Sequence, residues 1–158
     1  MTKIFNTQWA LKKEIKKINK KILFTTGCFD IFHYGHLIFL KKFSKLNGYK
    51  ILGINSDNSI KILKGKNRPV NKLKFRLGLL KELNYLDAII IFNSKTPKKL
   101  LEILKPDEFV KGSEIQNDKF KNKQIYKDIV RNVKKISTIK MINNISTSKI
   151  IARILDRK

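Results

Sequence analysis

From residue 21 to residue 155, short apolar runs alternate with amphipathic stretches, and the connections between them are brief. Lys21–Thr26 (KILFTT), Lys50–Asn55, Leu86–Phe92 (LDAIIIF), Glu108–Lys111 and Val133–Ile139 read as strands. Between them, His33–Leu46 places Leu37, Leu40 and Phe43 at helical spacing, and Lys72–Leu83 reads as a second helix. Asn47-Gly48 ends the first of these, with Gly48 available for the left-handed conformation of a helix end. Thr96-Pro97 opens a helix that stops at Pro106, and Ser146-Thr147 caps a last one through Leu155. The stretch after Asn55, through Arg68-Pro69, reads as a polar, lysine-rich loop. This order predicts an α/β fold: an open parallel five-stranded sheet with helices on both faces. An amphipathic helix at Trp9–Ile18 precedes it. The expected organisation is an N-terminal helix over residues 1–20 and a single domain over 21–158, since 158 residues suit one core.

The chain carries 36 Lys and Arg against 12 Asp and Glu, a formal net charge of +24. Such charge attracts polyanions. The cations are 31 Lys and only 5 Arg, scattered along the whole chain, and there are only three Ala. That pattern fits a drift toward A/T-rich codons, whereas a dedicated nucleic-acid module favours Arg and a basic face interleaved with aromatic platforms. The expectation is a small anionic substrate and no nucleic acid. The single cysteine, Cys28, excludes an internal disulfide and suits a reducing compartment. Leu86–Phe92, the longest apolar run, contains Asp87 and is too short to cross a bilayer. Met1–Ala10 has no apolar stretch of signal-peptide length. These features predict a soluble cytoplasmic protein with no membrane partner.

In an open parallel sheet, ligands sit beyond the carboxyl ends of the strands where strand order reverses. Thr26-Gly27-Cys28-Phe29-Asp30 and then His33-Tyr34-Gly35-His36 follow the first strand, and Lys111-Gly112-Ser113-Glu114 follow the fourth. His33 and His36 are the only two histidines of the chain. Their i, i+3 spacing puts both imidazoles on one face of a first helical turn. That turn already favours an anion through its unpaired N–H groups and its dipole. Gly35 permits close approach of a ligand or of backbone. The group suits transfer at phosphorus, where charge grows on phosphate oxygens and the protein positions and stabilises it. Two other readings exist. Cys28, His33 and His36 could ligate a metal but lack a convincing fourth ligand, and a histidine pair can simply cap a helix. Cys28 itself reads as a small packed residue beside the site.

Thr26-Gly27-Cys28-Phe29-Asp30 followed by His33-x-Gly35-His36 resembles the HxGH signature of the cytidylyltransferase-like nucleotidyltransferases. Asn55-Ser56-Asp57, Leu63-Lys64-Gly65, Arg68-Pro69-Val70-Asn71, Arg76, Thr96-Pro97, Pro106-Asp107, Val110-Lys111-Gly112 and Ser146-Thr147 continue the match in order. This set is similar to one branch, the heptose 1-phosphate adenylyltransferase domains, which occur alone or fused to a sugar kinase. The resemblance covers roughly residues 20–155.

The resemblance implies a Rossmann-like fold and transfer of a nucleotidyl group from a nucleoside triphosphate to a sugar phosphate, with release of pyrophosphate. Heptose 1-phosphate with ATP, giving ADP-heptose, is the implied pair, and no covalent enzyme intermediate is needed. His33 and His36 would hold the triphosphate and stabilise the transition state, and Lys64 and Arg76 would bring positive charge to the phosphates. Thr26, Gly27, Cys28, Phe29, Gly35, Lys111, Gly112, Ser113, Ser146, Thr147 and Ser148 would bind the nucleotide. Asp30, Asp57 and Arg68 would face the acceptor, with Asp30 alternatively meeting Mg²⁺. Mg²⁺ would arrive with the nucleotide, and the chain itself is expected to have no metal site. A separate sugar kinase would supply the acceptor. The N-terminal helix would pack on its own domain or on a second subunit in a homodimer.

The chain departs from the branch at Ser113-Glu114-Ile115, where relatives show Gly-Asp-Tyr, in the long lysine-rich 116–131 segment, and at Asn144, where relatives show Gly. These positions fall near the base and acceptor pockets. A CTP-dependent enzyme for glycerol 3-phosphate or another phosphorylated alcohol is therefore the second reading. A basic nucleic-acid-binding module or a non-catalytic partner protein belongs to another class. A non-catalytic relative predicts damaged motifs, whereas both histidines, Arg76 and Ser146-Thr147 are present.

Overall fold

A computed structural model describes residues 1–112, 121, 123–142 and 145–156. Its elements are β1 (Lys3–Phe5), α1 (Gln8–Ile15), β2 (Ile22–Gly27), α2 (Tyr34–Ser44), β3 (Tyr49–Asn55), α3 (Asp57–Lys64) and α4 (Leu73–Glu82). They continue with β4 (Ala88–Phe92), α5 (Lys98–Leu104), β5 (Glu108–Gly112), α6 (Gln124–Asn132), β6 (Lys135–Ile139) and α7 (Thr147–Leu155). The strands form one parallel sheet in the order β1-β4-β3-β2-β5-β6.

The central strands are apolar on both faces because both faces are covered. Phe24, Ile51, Ile90 and Phe109 point to one side, where Leu11 of α1, Leu100 and Leu101 of α5 and Ile129 of α6 complete a core. Leu23, Leu52, Ile54, Ile89 and Val110 point to the other, against Leu40 and Phe43 of α2 and Leu80 of α4. The Phe24 and Phe109 rings meet edge-on at 5.8 Å between centroids. Among the described residues, no helix is long and apolar enough to cross a membrane.

Strand order reverses at β2. The chain first runs outward through β3 and β4, then crosses to lay β5 and β6 on the other side of β2. β2 stays paired with β3 as far as Gly27 with Ile54, but its pairing with β5 covers only Leu23 with Glu108 and Phe24 with Phe109. The carboxyl ends of β2 and β5 therefore part, and a crevice opens between Thr26-Gly27 and Lys111-Gly112.

The sheet has six strands where five were expected. The extra one is β1, whose three residues make too short a run to stand out in the sequence. It pairs with β4, and the Thr2 hydroxyl donates to the Leu86 carbonyl at 2.8 Å. The N-terminal helix packs on its own domain, with Leu11 fully buried in the core shared with α5. Two helices were not anticipated. α3 occupies the expected loop after Asn55 and buries one apolar residue, Ile60; Ser56 caps it by accepting from the Ser59 N–H at 3.1 Å. α6 lies within the lysine-rich 116–131 segment and turns Ile129 inward. Gly48 follows a helix already closed at Lys45, and takes φ +152° rather than the left-handed helical value.

Candidate active site

The crevice widens into a cleft of about 610 Å³, a volume that suits a nucleotide-sized ligand. Of the residues expected at the site, Thr26, Gly27, Cys28, Phe29, Asp30, His36, Lys64, Lys111, Gly112 and Thr147 line it. Lys111 spans the crevice by donating from Nζ to the Thr26 carbonyl at 3.2 Å.

His33 is the N-cap residue of α2, in extended backbone conformation, and its carbonyl accepts from the N–H groups of His36 (2.9 Å) and Leu37 (3.1 Å). One turn on, the His36 ring stacks on the His33 ring at 3.8 Å between centroids and 22° between planes. Gly35 makes this possible, since a Cβ there would stand 3.0 Å from Cε1 of His33 and 3.2 Å from Ile145. The close approach that Gly35 allows is thus that of the His33 ring. The Nδ1 atoms of both rings are buried without a hydrogen-bond partner. Burial lowers the pKa of His33. Burial also lowers that of His36, to about 3, with further contributions from the charges of His33, Lys64 and Lys111. Both imidazoles are therefore neutral near pH 7, each with one N–H to donate.

The remaining expected residues build the frame. Ser146 caps α7, its hydroxyl accepting from the Lys149 N–H at 3.3 Å, while Thr147 donates to the Ile31 carbonyl at 3.4 Å and Ser148 is exposed. Ser113 lies outside the described residues. Arg76, expected at the phosphates, is 3% exposed, lies outside the cleft lining and donates to four protein acceptors. Its Nη1 reaches the Cys28 carbonyl (2.7 Å) and the Asn55 carbonyl (2.9 Å), Nη2 reaches Asp57 (2.7 Å), and Nε reaches the Asn71 carbonyl (3.0 Å). Asp57 also accepts from the Leu73 N–H at 2.9 Å, so its carboxylate joins the start of α3 to the start of α4.

Asp30 borders the cleft, but its carboxylate accepts from Arg68 Nε (2.6 Å), the Val70 N–H (3.1 Å) and the Asn71 N–H (2.8 Å). Burial would raise its pKa, but the hydrogen bonds from Asn71, Val70 and Arg68 outweigh that and hold it below the usual 3.8. The stabilisation is then complete above the unfolded-state pKa and lost as pH falls through the lower folded value. Asp30→Asn is expected to be less stable than the parent at pH 7, with the gap narrowing below about pH 4. Urea unfolding at pH 7 and pH 3 checks this; an equal gap at both would refute it.

Lys95, Thr96, Lys123 and Gln124 also line the cleft and were not anticipated as site residues. Lys95 and Thr96 follow the carboxyl end of β4, on the same edge of the sheet as the ends of β2 and β5 but away from the reversal point. Thr96 donates to Asp128 at 2.7 Å and Gln124 donates to the same carboxylate at 2.8 Å, which ties the β4–α5 loop to α6.

At the sheet's reversal point, His36, stacked on His33 at the start of α2, lines a crevice with Lys64 and Lys111, an arrangement whose chemistry suits an anionic ligand. The sequence profile of the cytidylyltransferase-like family matches residues 24–153, and the chain belongs to this family of nucleotidyltransferases. Among curated proteins it is similar to the bifunctional protein HldE of Campylobacter jejuni, 43% identical over 145 residues that cover 91% of this chain and 30% of that protein. The bifunctional protein HldE of Helicobacter hepaticus is 41% identical over 146 residues, covering 92% and 28% respectively. The chain thus spans about 30% of the length of these relatives. Among solved structures, a lipopolysaccharide core biosynthesis protein from Thermoplasma volcanium superposes with a TM-score of 0.61 at 26% identity, covering 79% of this chain and all of that one. A pantoate-beta-alanine ligase from Francisella tularensis shares the fold at a TM-score of 0.59 and 17% identity, over all of this chain and 79% of that one.

Proposed function

We propose that the chain transfers the adenylyl group of ATP to heptose 1-phosphate, forming ADP-heptose. A phosphate oxygen of the acceptor attacks the α-phosphorus, the bond from that phosphorus to the bridging oxygen breaks, and pyrophosphate leaves with the electron pair. The observation that carries this reading is His36, stacked on His33 at the start of α2 and lining a cleft that Lys64 and Lys111 also line. Helix N–H groups, a neutral imidazole donor and two ammonium groups together suit the charge that builds on the transferring phosphoryl group. The choice of sugar and nucleotide is supported by the ordered motifs and by the identity with the HldE proteins.

The donor set does not suit a resident Mg²⁺. Asp30 is a carboxylate of the cleft wall and its oxygens already accept three hydrogen bonds; among the described residues no group of three His, Cys, Asp or Glu could hold an ion. Mg²⁺ would accompany the nucleotide on its phosphates, as hard cations commonly do.

Pyrophosphate release, measured with Mg²⁺ and each nucleoside triphosphate crossed with heptose 1-phosphate and glycerol 3-phosphate, tests the proposal. Release is expected with ATP and heptose 1-phosphate and to depend on the acceptor. Release confined to CTP and glycerol 3-phosphate would replace the substrates, and silence from folded protein across the whole set would overturn the reaction.

A further inference from the structure

We infer that Phe29 is a positioning residue that presses its ring against His36 and fixes that imidazole in the cleft wall, and that Gly27 lacks a side chain so that the ring can lie there. The inference rests on the reading of His36 as a group that meets phosphate, and extends it to residues that never touch the substrate's phosphorus.

Phe29 has φ +49°, a left-handed conformation that bulky residues rarely adopt. Filling a core does not require it. In this structure it turns the ring back over the end of β2, where it is 5% exposed and lies 4.9 Å from the His36 ring, centroid to centroid. Phe32 approaches the same imidazole at 5.6 Å, and His33 stacks on it at 3.8 Å. Three rings therefore pack around His36, whose Nδ1 is buried and which lines the cleft. A Cβ on Gly27 would stand 2.5 Å from Cε2 of Phe29, closer than Cβ atoms approach a ring, and 3.0 Å from Cδ2. Phe29 also lies in the wall of a second cavity of about 320 Å³, with Phe32 and Phe75, so Phe29 and Asp30 border both that cavity and the cleft.

The groups that face His36 all oppose its protonation. Burial against Phe29 and Phe32 removes water, positive charge comes from Lys64 at the end of α3 and Lys111 on β5, and a proton on His33 at the head of α2 would add to it. Asp30, the nearby carboxylate, is turned to Arg68, Val70 and Asn71. Phe29 thus keeps His36 a neutral, oriented donor at neutral pH.

Because the chain has two histidines, their ring signals can be followed by NMR as pH is varied. In the parent protein the His36 signals are expected not to titrate between pH 5 and 8. Phe29→Gly, which relieves the backbone while removing the ring, should move the His36 midpoint up toward the ordinary 6.5. An acid limb should enter kcat/KM over the same range, with kcat lowered about tenfold and KM changed less. Gly27→Ala should lower Tm in the parent background and have little effect in Phe29→Gly, where the ring it strikes is gone. An unmoved His36 midpoint in folded Phe29→Gly overturns the inference, as does a parent His36 that titrates normally. If Phe29→Gly does not fold, Phe29→Leu must still raise the midpoint, and an unmoved one is equally fatal. The titration needs no substrate, so an inactive parent protein would sink the proposed reaction and leave this result readable.

Discussion

His36→Ala is expected to lower kcat by about 10² to 10³, or about 2.7–4 kcal/mol, the loss typical when one preorganised donor to a developing oxyanion is removed. The substitution takes away the N–H that the cleft meets and leaves the start of α2 intact. Ala is a good helix former, and the His33 carbonyl still receives the N–H groups of residues 36 and 37. The fold is expected to survive because His36 is only half-buried and no hydrogen bond from its side chain holds any element in place. Steady-state pyrophosphate release, with circular dichroism and thermal unfolding on the same sample, measures both sides of the claim. Turnover unchanged in folded protein would remove His36 from the mechanism. His33→Ala should be milder in kcat, since His33 stacks behind His36 and is not part of the cleft wall.

What the sequence revealed, and what it hid, follows from how each residue acts. β2 to β6 were legible because the middle strands are covered on both faces and read as unbroken apolar runs. β1 and α3 were not: three residues at an edge make no run, and α3 is an eight-residue amphipathic helix set in a polar, lysine-rich stretch that reads as a loop. The histidines stood out because there are two; Lys95 and Lys123 did not, among 31 lysines. The motif also marked Asp30 and Arg76 as important without saying how. Which acceptors a buried guanidinium or carboxylate meets depends on chain segments brought together by the sheet. Asp30 to Asn71 and Arg76 to Cys28 are separated by 41 and 48 residues.

Arg76→Ala is expected to be the most destabilising of these changes, by about 2–4 kcal/mol, because it removes a buried guanidinium that satisfies several acceptors at once. One side chain from α4 joins four segments: the turn after β2 at Cys28, the end of β3 at Asn55, the head of α3 at Asp57 and the loop at Asn71. Removing it leaves three carbonyls without this donor, and leaves Asp57 with the Leu73 N–H but without its ion-pair partner. For a chain of this length the loss corresponds to a fall in Tm of roughly 4–16 °C. Lys at this position cannot restore the network, since one ammonium group cannot span acceptors that a planar fork reaches in different directions. A phosphate-binding Arg76 would behave in the opposite way: its removal would raise KM for the nucleotide and leave Tm nearly unchanged. Thermal unfolding of Arg76→Ala and Arg76→Lys, beside the KM of each, separates the two roles. The clamp predicts a large loss of Tm in both variants, with activity falling because Cys28, and with it the turn that carries Phe29 and leads to His33, is no longer held.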